Sequence, residues 1–96
     1  MLVVASRYTR PLGEVDSVRA DHLAWISGHV EARRVLAAGR QNPPAGGVIL
    51  LSGVAPGDVA TFFAEDPYVV NGCAEYEVLV EFSPGLASPG LEPLLG

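Results

Sequence analysis

The segment Ala74-Glu75-Tyr76-Glu77-Val78-Leu79-Val80-Glu81-Phe82 decides the fold, because its residues alternate between two chemical characters. Apolar or aromatic side chains occupy every second position from Ala74 to Phe82, and the positions between them are mostly glutamates. A period of two places the two sets on opposite faces of a strand. We therefore predict a strand with one face on the core, and Leu79 within the acidic face indicates a partner surface.

A second, shorter helix is predicted immediately upstream of this strand. Ala55-Pro56-Gly57-Asp58 begins it, because proline suits the first helical position and aspartate suits the first turn. The helix ends at Glu65-Asp66, since Pro67 disfavours helical geometry in the residue before it. Its predicted core face consists of Val59, Phe62 and Phe63.

A hairpin is predicted before that helix. The run Val48 to Ser52 is short, rich in β-branched residues and bounded by glycines, which is typical of a buried strand. Residues 35–41 can form its partner strand, and the Pro- and Gly-rich residues 42–47 form the turn between them.

The chain begins with a predicted strand at residues 2–7, which runs into the turn Pro11-Leu12-Gly13. A helix is then predicted over residues 16–32, with Asp16 or Ser17 as its cap. Gly28 inside it marks either close packing or an early loosening of the helix. Side chains at three- and four-residue steps form its buried stripe, namely Val15, Val18, His22, Ile26 and His29 or Val30.

The predicted order is β-α-β-β-α-β over residues 1–83, an α+β arrangement with two helices on one face of a four-stranded antiparallel sheet. Apolar residues also occur on the other face, so we expect a symmetric homodimer to cover it. Residues 84–96 are rich in Pro, Gly and Leu without periodicity. We expect an extended arm whose leucines pack on a partner subunit. These leucines are Leu86, Leu91, Leu94 and Leu95.

Composition excludes several classes of protein. The chain has 96 residues, enough for one domain, and its 49% hydrophobic content argues against disorder. Its net charge of −5 has the wrong sign for binding nucleic acid. The apolar run Val48–Leu51 is far shorter than the roughly 20 residues that span a bilayer. No basic segment precedes the apolar amino terminus, and a single cysteine, Cys73, suits a reducing compartment, so we expect a cytoplasmic protein.

His22 and Asp66 are the candidate catalytic residues. His22 lies on the core stripe of the first helix and should point into the crevice between that helix and the sheet. Asp66, held by Pro67 at the end of the second helix, can approach the middle of the first. A carboxylate bonded to an imidazole fixes its tautomer and strengthens it as a general base. The alternatives are a histidine satisfied by a backbone carbonyl and an Asp-Pro turn that only ends a helix.

Two arginines near strand ends, Arg7 and Arg40, are candidates for binding an anionic group in the same crevice. The alternative is surface ion pairing with Glu75, Glu77 or Glu81. Tyr8 and Tyr68 are possible wall or donor residues, with packing as the alternative.

A metal site is not expected. His22 and His29 are seven residues apart. That spacing separates them by about 10 Å along a helix. Two ligands at that distance do not chelate one ion, and Asp21 faces a different direction from His22.

Several short motifs in a fixed order resemble the YciI-like (YCII-related) proteins over most of residues 2–83. They are an Arg-x-x-His-Leu helix, an Ala-Gly-Arg strand, a Gly-Gly-Val-Ile-Leu-Leu strand, and Phe-Phe-x-x-Asp-Pro-Tyr-x-x-x-Gly before a Tyr-Glu-Val strand. The resemblance implies a ferredoxin-like fold assembled into a dimeric α+β barrel, with an active site on a His-Asp pair. The matching positions are His22 and Asp66. A related dehydrochlorinase acts on a chlorinated aromatic, and similar barrels include muconolactone isomerases and cofactor-free monooxygenases.

Two functional hypotheses follow. In the first, the protein is a lyase or isomerase without a cofactor, in which His22, oriented by Asp66, moves a proton on a small anionic or aromatic molecule. Arg7 or Arg40 would then steady negative charge, and Tyr68 would contact the substrate. In the second, it is a non-catalytic dimeric module that binds a small ligand or another protein through its tail and barrel surface.

Overall fold

The computed structural model describes residues 1–95. Its strands are β1 Leu2–Tyr8, β2 Val35–Arg40, β3 Gly47–Leu51 and β4 Ala74–Glu81. They form one four-stranded sheet in the order β2-β3-β1-β4, with every neighbouring pair antiparallel. The helices are α1 Leu12–Glu31, α2 Val59–Phe63 and α3 Pro67–Val70, and short 3-10 turns cover Pro56–Asp58 and Glu92–Leu95. This is the ferredoxin-like α+β fold that the sequence predicts.

The core lies between the sheet and the helices. Alternate residues of β1 and β3 are buried because a strand presents every second side chain to one face. Ile26 of α1 and Phe63 of α2 pack on those same residues, so both helices cover the same face of the sheet. The main cluster consists of Leu2, Val4, Ile26, Val35, Ile49, Leu51, Val59 and Phe63. A smaller cluster holds Val15, Tyr68, Cys73 and Ala74.

Helix α1 begins one turn earlier than the predicted start at residue 16. The amides of Glu14 and Val15 both donate to the carbonyl oxygen of Pro11, which makes Leu12 the first helical residue. Pro11 is the N-cap of this helix, and no side chain caps it. The expected capping role of Asp16 or Ser17 was therefore wrong. A Cβ on Gly28 would meet no atom of residues 1–95 within 4 Å beyond the neighbouring helix backbone, so close packing does not explain it.

The predicted second helix is divided into a 3-10 turn and α2, and a further short helix, α3, follows its predicted end. The 3-10 turn runs directly into α2, which ends at Phe63, and α3 then begins at Pro67. The carboxylate of Asp66 accepts a hydrogen bond from the amide of Tyr68 at 3.0 Å and caps α3. The Asp-Pro pair therefore begins a helix as well as limiting the one before it, because aspartate favours the N-cap and proline the first position.

Strand β4 departs from the predicted alternation at its second half. The register with β1 shifts, so that Val4 lies opposite Val78 while Val3 lies opposite Val80. Leu79 is thus the extra residue of a bulge, and a bulge exchanges the faces of the residues beyond it. Val80 is 50% exposed and Phe82 is 42% exposed. The prediction that these two residues share the core face was therefore wrong.

The face of the sheet away from the helices is bare in the single chain. Val3 and Val80 pair across this face, and Val48 is 39% exposed upon it. Residues 84–95 extend beyond β4, and their hydrogen bonds within the described chain run to one another. Gly96, the last residue of the expected arm, lies outside the described residues. None of the helices in residues 1–95 has the length and apolar character needed to cross a membrane.

Candidate active site

A cavity of about 410 Å³ opens between α1 and the sheet. Helix α1 forms one wall, the strands form the floor, and Tyr68 of α3 closes one end. Most of its surface is apolar, while its titratable groups gather near Tyr8 and Arg40. This combination of an apolar cleft with a few convergent polar groups is typical of a site for a small molecule.

The structure brings His22, which lines the cavity, into contact with Asp66, which lies behind it. Nδ1 of His22 lies 2.7 Å from Oδ1 of Asp66. The Asp66 side chain is completely buried, and that of His22 is 12% exposed. The contact forms because α3 packs against α1, which places the residue that caps α3 beside the middle of α1. The imidazole is therefore satisfied by a side-chain carboxylate, not by a backbone carbonyl.

Three donors surround the Asp66 carboxylate. Besides His22, the amide of Tyr68 donates to Oδ1 and the hydroxyl of Tyr76 donates to Oδ2 at 2.5 Å. A buried carboxylate without partners would be strongly destabilising, whereas charge-assisted hydrogen bonds of this kind offset its loss of hydration. Since a carboxylate only accepts, Nδ1 of neutral His22 carries the proton.

The second nitrogen of His22 is left available for chemistry. No group in residues 1–95 forms a hydrogen bond with Nε2, and this atom is not buried. Because Nδ1 holds the proton, Nε2 carries a lone pair on the cavity side. A lone pair held in this way is suited to accept a proton from a bound molecule.

Tyr68 fixes the plane of the imidazole. Its ring stacks on His22 with centroids 3.9 Å apart and only 10° between the planes. Tyr8 meets Tyr68 edge to face at 5.9 Å. Burial raises the pKa of Tyr68, and the positive charges of Arg40 and Arg19 oppose that rise. The Tyr68 phenol therefore remains a neutral hydrogen-bond donor at physiological pH.

Arg40 lies in the crevice, where the sequence placed it. Its Nε donates to the Tyr8 hydroxyl at 2.9 Å, and its Nη2 donates to Asp16 at 2.5 Å. The Asp16 carboxylate raises the pKa of Arg40, so the guanidinium stays charged. Its ion partner is thus on α1 and is none of the three glutamates that the sequence offered as the alternative.

Arg7 does not reach the crevice. Ser6 and Tyr8 on either side of it line the cavity, and the pleat of β1 turns the residue between them to the opposite face. There Arg7 donates to Glu75 at 2.7 Å, and both side chains are largely exposed. The expectation that Arg7 lies in this crevice was wrong, and the structure shows the alternative, a surface ion pair with Glu75.

Sequence reasoning missed Tyr76 and Arg19 as residues of the site. Tyr76 stacks face to face on Phe63 at 3.8 Å while its hydroxyl reaches Asp66. Its place on the inward face of β4 was predicted. From the sequence alone, however, an aromatic residue at such a position indicates only a packing role, because the contact of its hydroxyl with Asp66 is not visible. Arg19 lies one helical turn before His22 and also lines the cavity.

His29 stays outside the cavity. It packs against Trp25 and Phe62, with ring centroids 4.7 and 4.5 Å away, and its buried Nδ1 has no partner in residues 1–95. No group of three or more His, Cys, Asp or Glu side chains in this part of the chain is arranged to hold a metal ion.

Comparison with known families agrees with this architecture. The family model described as YCII-related domain matches residues 1–83, which include all four strands and both members of the His22-Asp66 pair. A search of curated proteins gave no match.

Replacing Tyr76 by phenylalanine tests its hydrogen bond to Asp66. The ring stack on Phe63 is kept, but a buried carboxylate loses one donor, so we expect a loss of about 1.5–3 kcal/mol in the free energy of unfolding at pH 7. Urea titration followed by circular dichroism measures this difference. An unchanged stability would contradict the assigned contact.

The difference in stability between wild type and Tyr76→Phe should depend on pH. Burial and the hydrogen bond to Asp66 raise the pKa of Tyr76 above its ordinary value of 10.0. Above pH 10 the unfolded chain releases this proton while the folded chain retains it, so wild type loses stability as pH rises. The stability gap between wild type and Tyr76→Phe should therefore narrow between pH 9 and roughly pH 11. A gap that widens would contradict the sign of the shift.

Proposed function

The chain belongs to the YCII-related family, and we propose that it is a small lyase or isomerase that uses His22 and Asp66 for acid-base chemistry without a cofactor. The observation that carries the proposal is the 2.7 Å contact between His22 Nδ1 and a fully buried carboxylate, with Nε2 left open to a cavity. A histidine held in this tautomer is ready to act as a general base.

The proposed reaction begins with removal of a proton. Nε2 of His22 takes the proton from a carbon next to a carbonyl or from a phenolic hydroxyl, and the electron pair left behind forms an enolate or phenolate. Asp66 accepts from Nδ1 throughout and stabilises the imidazolium that results. Return of the proton to a different carbon completes an isomerisation. From an enolate, the electron pair can instead form a double bond to the carbon next to the deprotonated one, whose leaving group departs with its own bonding pair and completes an elimination.

Donors at the same end of the cavity support the charge that develops on oxygen. The Tyr68 phenol is neutral and adjoins His22, and the charged Arg40 guanidinium holds the Tyr8 hydroxyl. Donors that are already in place before the reaction cost no reorganisation when charge appears. We therefore assign Tyr68, and Arg40 through the Tyr8 hydroxyl that it holds, to stabilisation of the enolate or phenolate oxygen.

Turnover by variants of His22 tests the proposal. Cyclic enol-lactones and halogenated hydroquinones are screened with wild type, and any substrate found is then tested with His22→Gln. We expect kcat/KM to fall by at least about 100-fold, the usual contribution of a general base. His29→Gln is the matched control, because it removes the other histidine of α1 outside the cavity, and it should retain activity. Equal turnover by His22→Gln and wild type would exclude His22 from the mechanism.

The bare face of the sheet supports a second proposal, that two copies of the chain pack through it as a homodimer. Val48, Val80 and Phe82 are exposed on this face, and a sheet with helices on one side is stable when its other side is also covered. A two-fold axis makes one such patch cover its own copy. In that assembly the arm of residues 84–95, with Leu86 at 95% exposure, would pack on the partner subunit.

Sedimentation equilibrium tests the dimer. Wild type should sediment as a dimer, and Val48→Glu should sediment as a monomer because it buries a charge in the interface. Val70→Glu is the control, since Val70 is 69% exposed on α3 and away from the sheet. A monomeric wild type, or a dimer that survives Val48→Glu, would contradict the proposal. The arm is tested separately by ending the chain at residue 83.

A further inference from the structure

The cavity has the opposite charge to the rest of the protein. The chain carries eleven acidic residues against six basic ones and a net charge of −5. Nevertheless, the residues that line the cavity include Arg19 and Arg40 and no aspartate or glutamate. Asp66 lies behind His22 and Tyr76 and is fully buried. The formal charges among the residues that line this cavity are therefore positive.

The two arginines are not equivalent. Arg40 already has partners within the protein, because it forms an ion pair with Asp16 and a hydrogen bond with Tyr8. Arg19 forms no ion pair or side-chain hydrogen bond in residues 1–95, and it is exposed at the rim. It lies three residues before His22, which places the two side chains on the same face of α1. Its charge also acts on the Tyr68 phenol.

The opposite end of the cavity is apolar. Along α1 the lining continues with Leu23, Ile26 and Val30, and the sheet contributes Ala38 and Ile49. Ser27 also lines this part, but its hydroxyl donates to the carbonyl oxygen of Leu23 within the helix. The ion pair between Asp16 and Arg40 shows that the charged end lies toward the start of α1. With a rise of 1.5 Å per residue, Arg19 and Val30 are separated by roughly 16 Å along the helix. The cavity is therefore long and has a single charged end.

We infer that the substrate is an amphiphilic monocarboxylate, bound with its carboxylate on the guanidinium of Arg19 and its apolar body along α1 toward Val30. This inference rests on the proposed function, because it places the reacting carbon beside Nε2 of His22. A planar guanidinium fork matches the two oxygens of a carboxylate. A second negative charge on the ligand would meet no further unpaired cation in the lining.

Binding of a matched pair of probes tests this assignment without any turnover. trans-Cinnamate and trans-cinnamamide have the same apolar body and differ in charge at one end. Their dissociation constants are measured by NMR titration of the wild-type protein. We expect cinnamate to bind about tenfold more tightly than cinnamamide, as one charge-assisted contact warrants. Shifts should appear at the amides of residues 19–30 of α1.

Substitutions of Arg19 then test whether this residue contacts the carboxylate of cinnamate. Arg19→Gln should weaken cinnamate about tenfold and leave cinnamamide unchanged, and Arg19→Lys should give an intermediate result because it keeps the charge but loses the fork. Arg34→Gln is the matched control, since it removes the same charge outside the cavity, and it should bind both probes as wild type does.

Three results would overturn the inference: no binding of cinnamate, equal binding of the two probes, or unchanged cinnamate binding by Arg19→Gln. The His22→Gln variant separates this inference from the proposed reaction. It should still prefer cinnamate to cinnamamide, because the carboxylate contact belongs to Arg19. Loss of turnover in His22→Gln together with equal binding of the probes would overturn the substrate class alone.

Discussion

The buried carboxylate of Asp66 is the constraint on which the site depends. A fully buried negative charge is tolerated only when donors surround it, and here they come from three different elements: His22 of α1, the amide of Tyr68 in α3 and the hydroxyl of Tyr76 in β4. One carboxylate therefore holds two helices and the edge strand of the sheet together. It also sets the tautomer of His22, so the same contacts that stabilise the fold prepare the imidazole for proton transfer.

The cavity follows from the way α1 lies across the sheet. Its early turns are tied to the end of β2 through Asp16 and Arg40, and its later turns pack into the core through Ile26. Polar and charged residues consequently gather at one end, and aliphatic residues at the other. The polar end and the aliphatic end of the cavity therefore determine in which orientation a molecule binds, and hence which part of it lies beside His22.

Much of the fold and half of the site were predictable from local patterns. Two-residue and helical periods locate the strands, α1 and the inward direction of His22, and the strand order then allows Asp66 to approach it. Other features depend on partners distant in sequence. The bulge at Leu79 arises from the pairing of β4 with β1. The pleat of β1 turns Arg7 to the face opposite the cavity, and the sequence does not show on which face the cavity lies. The sequence pattern at Tyr76 indicates only a packing role, because it does not show that Asp66 lies within reach of the Tyr76 hydroxyl.

The tautomer of His22 tests the central claim most directly. Long-range proton-nitrogen correlation spectra of the neutral imidazole distinguish the nitrogen that carries the proton from the one that does not. A carboxylate acceptor at 2.7 Å requires the proton on Nδ1 and a bare Nε2 in wild type. Asp66→Asn should disturb this preference, because an amide can present a donor in place of an acceptor. A wild-type spectrum with the proton on Nε2 would contradict the account, since that nitrogen would have no lone pair to accept a proton from a substrate.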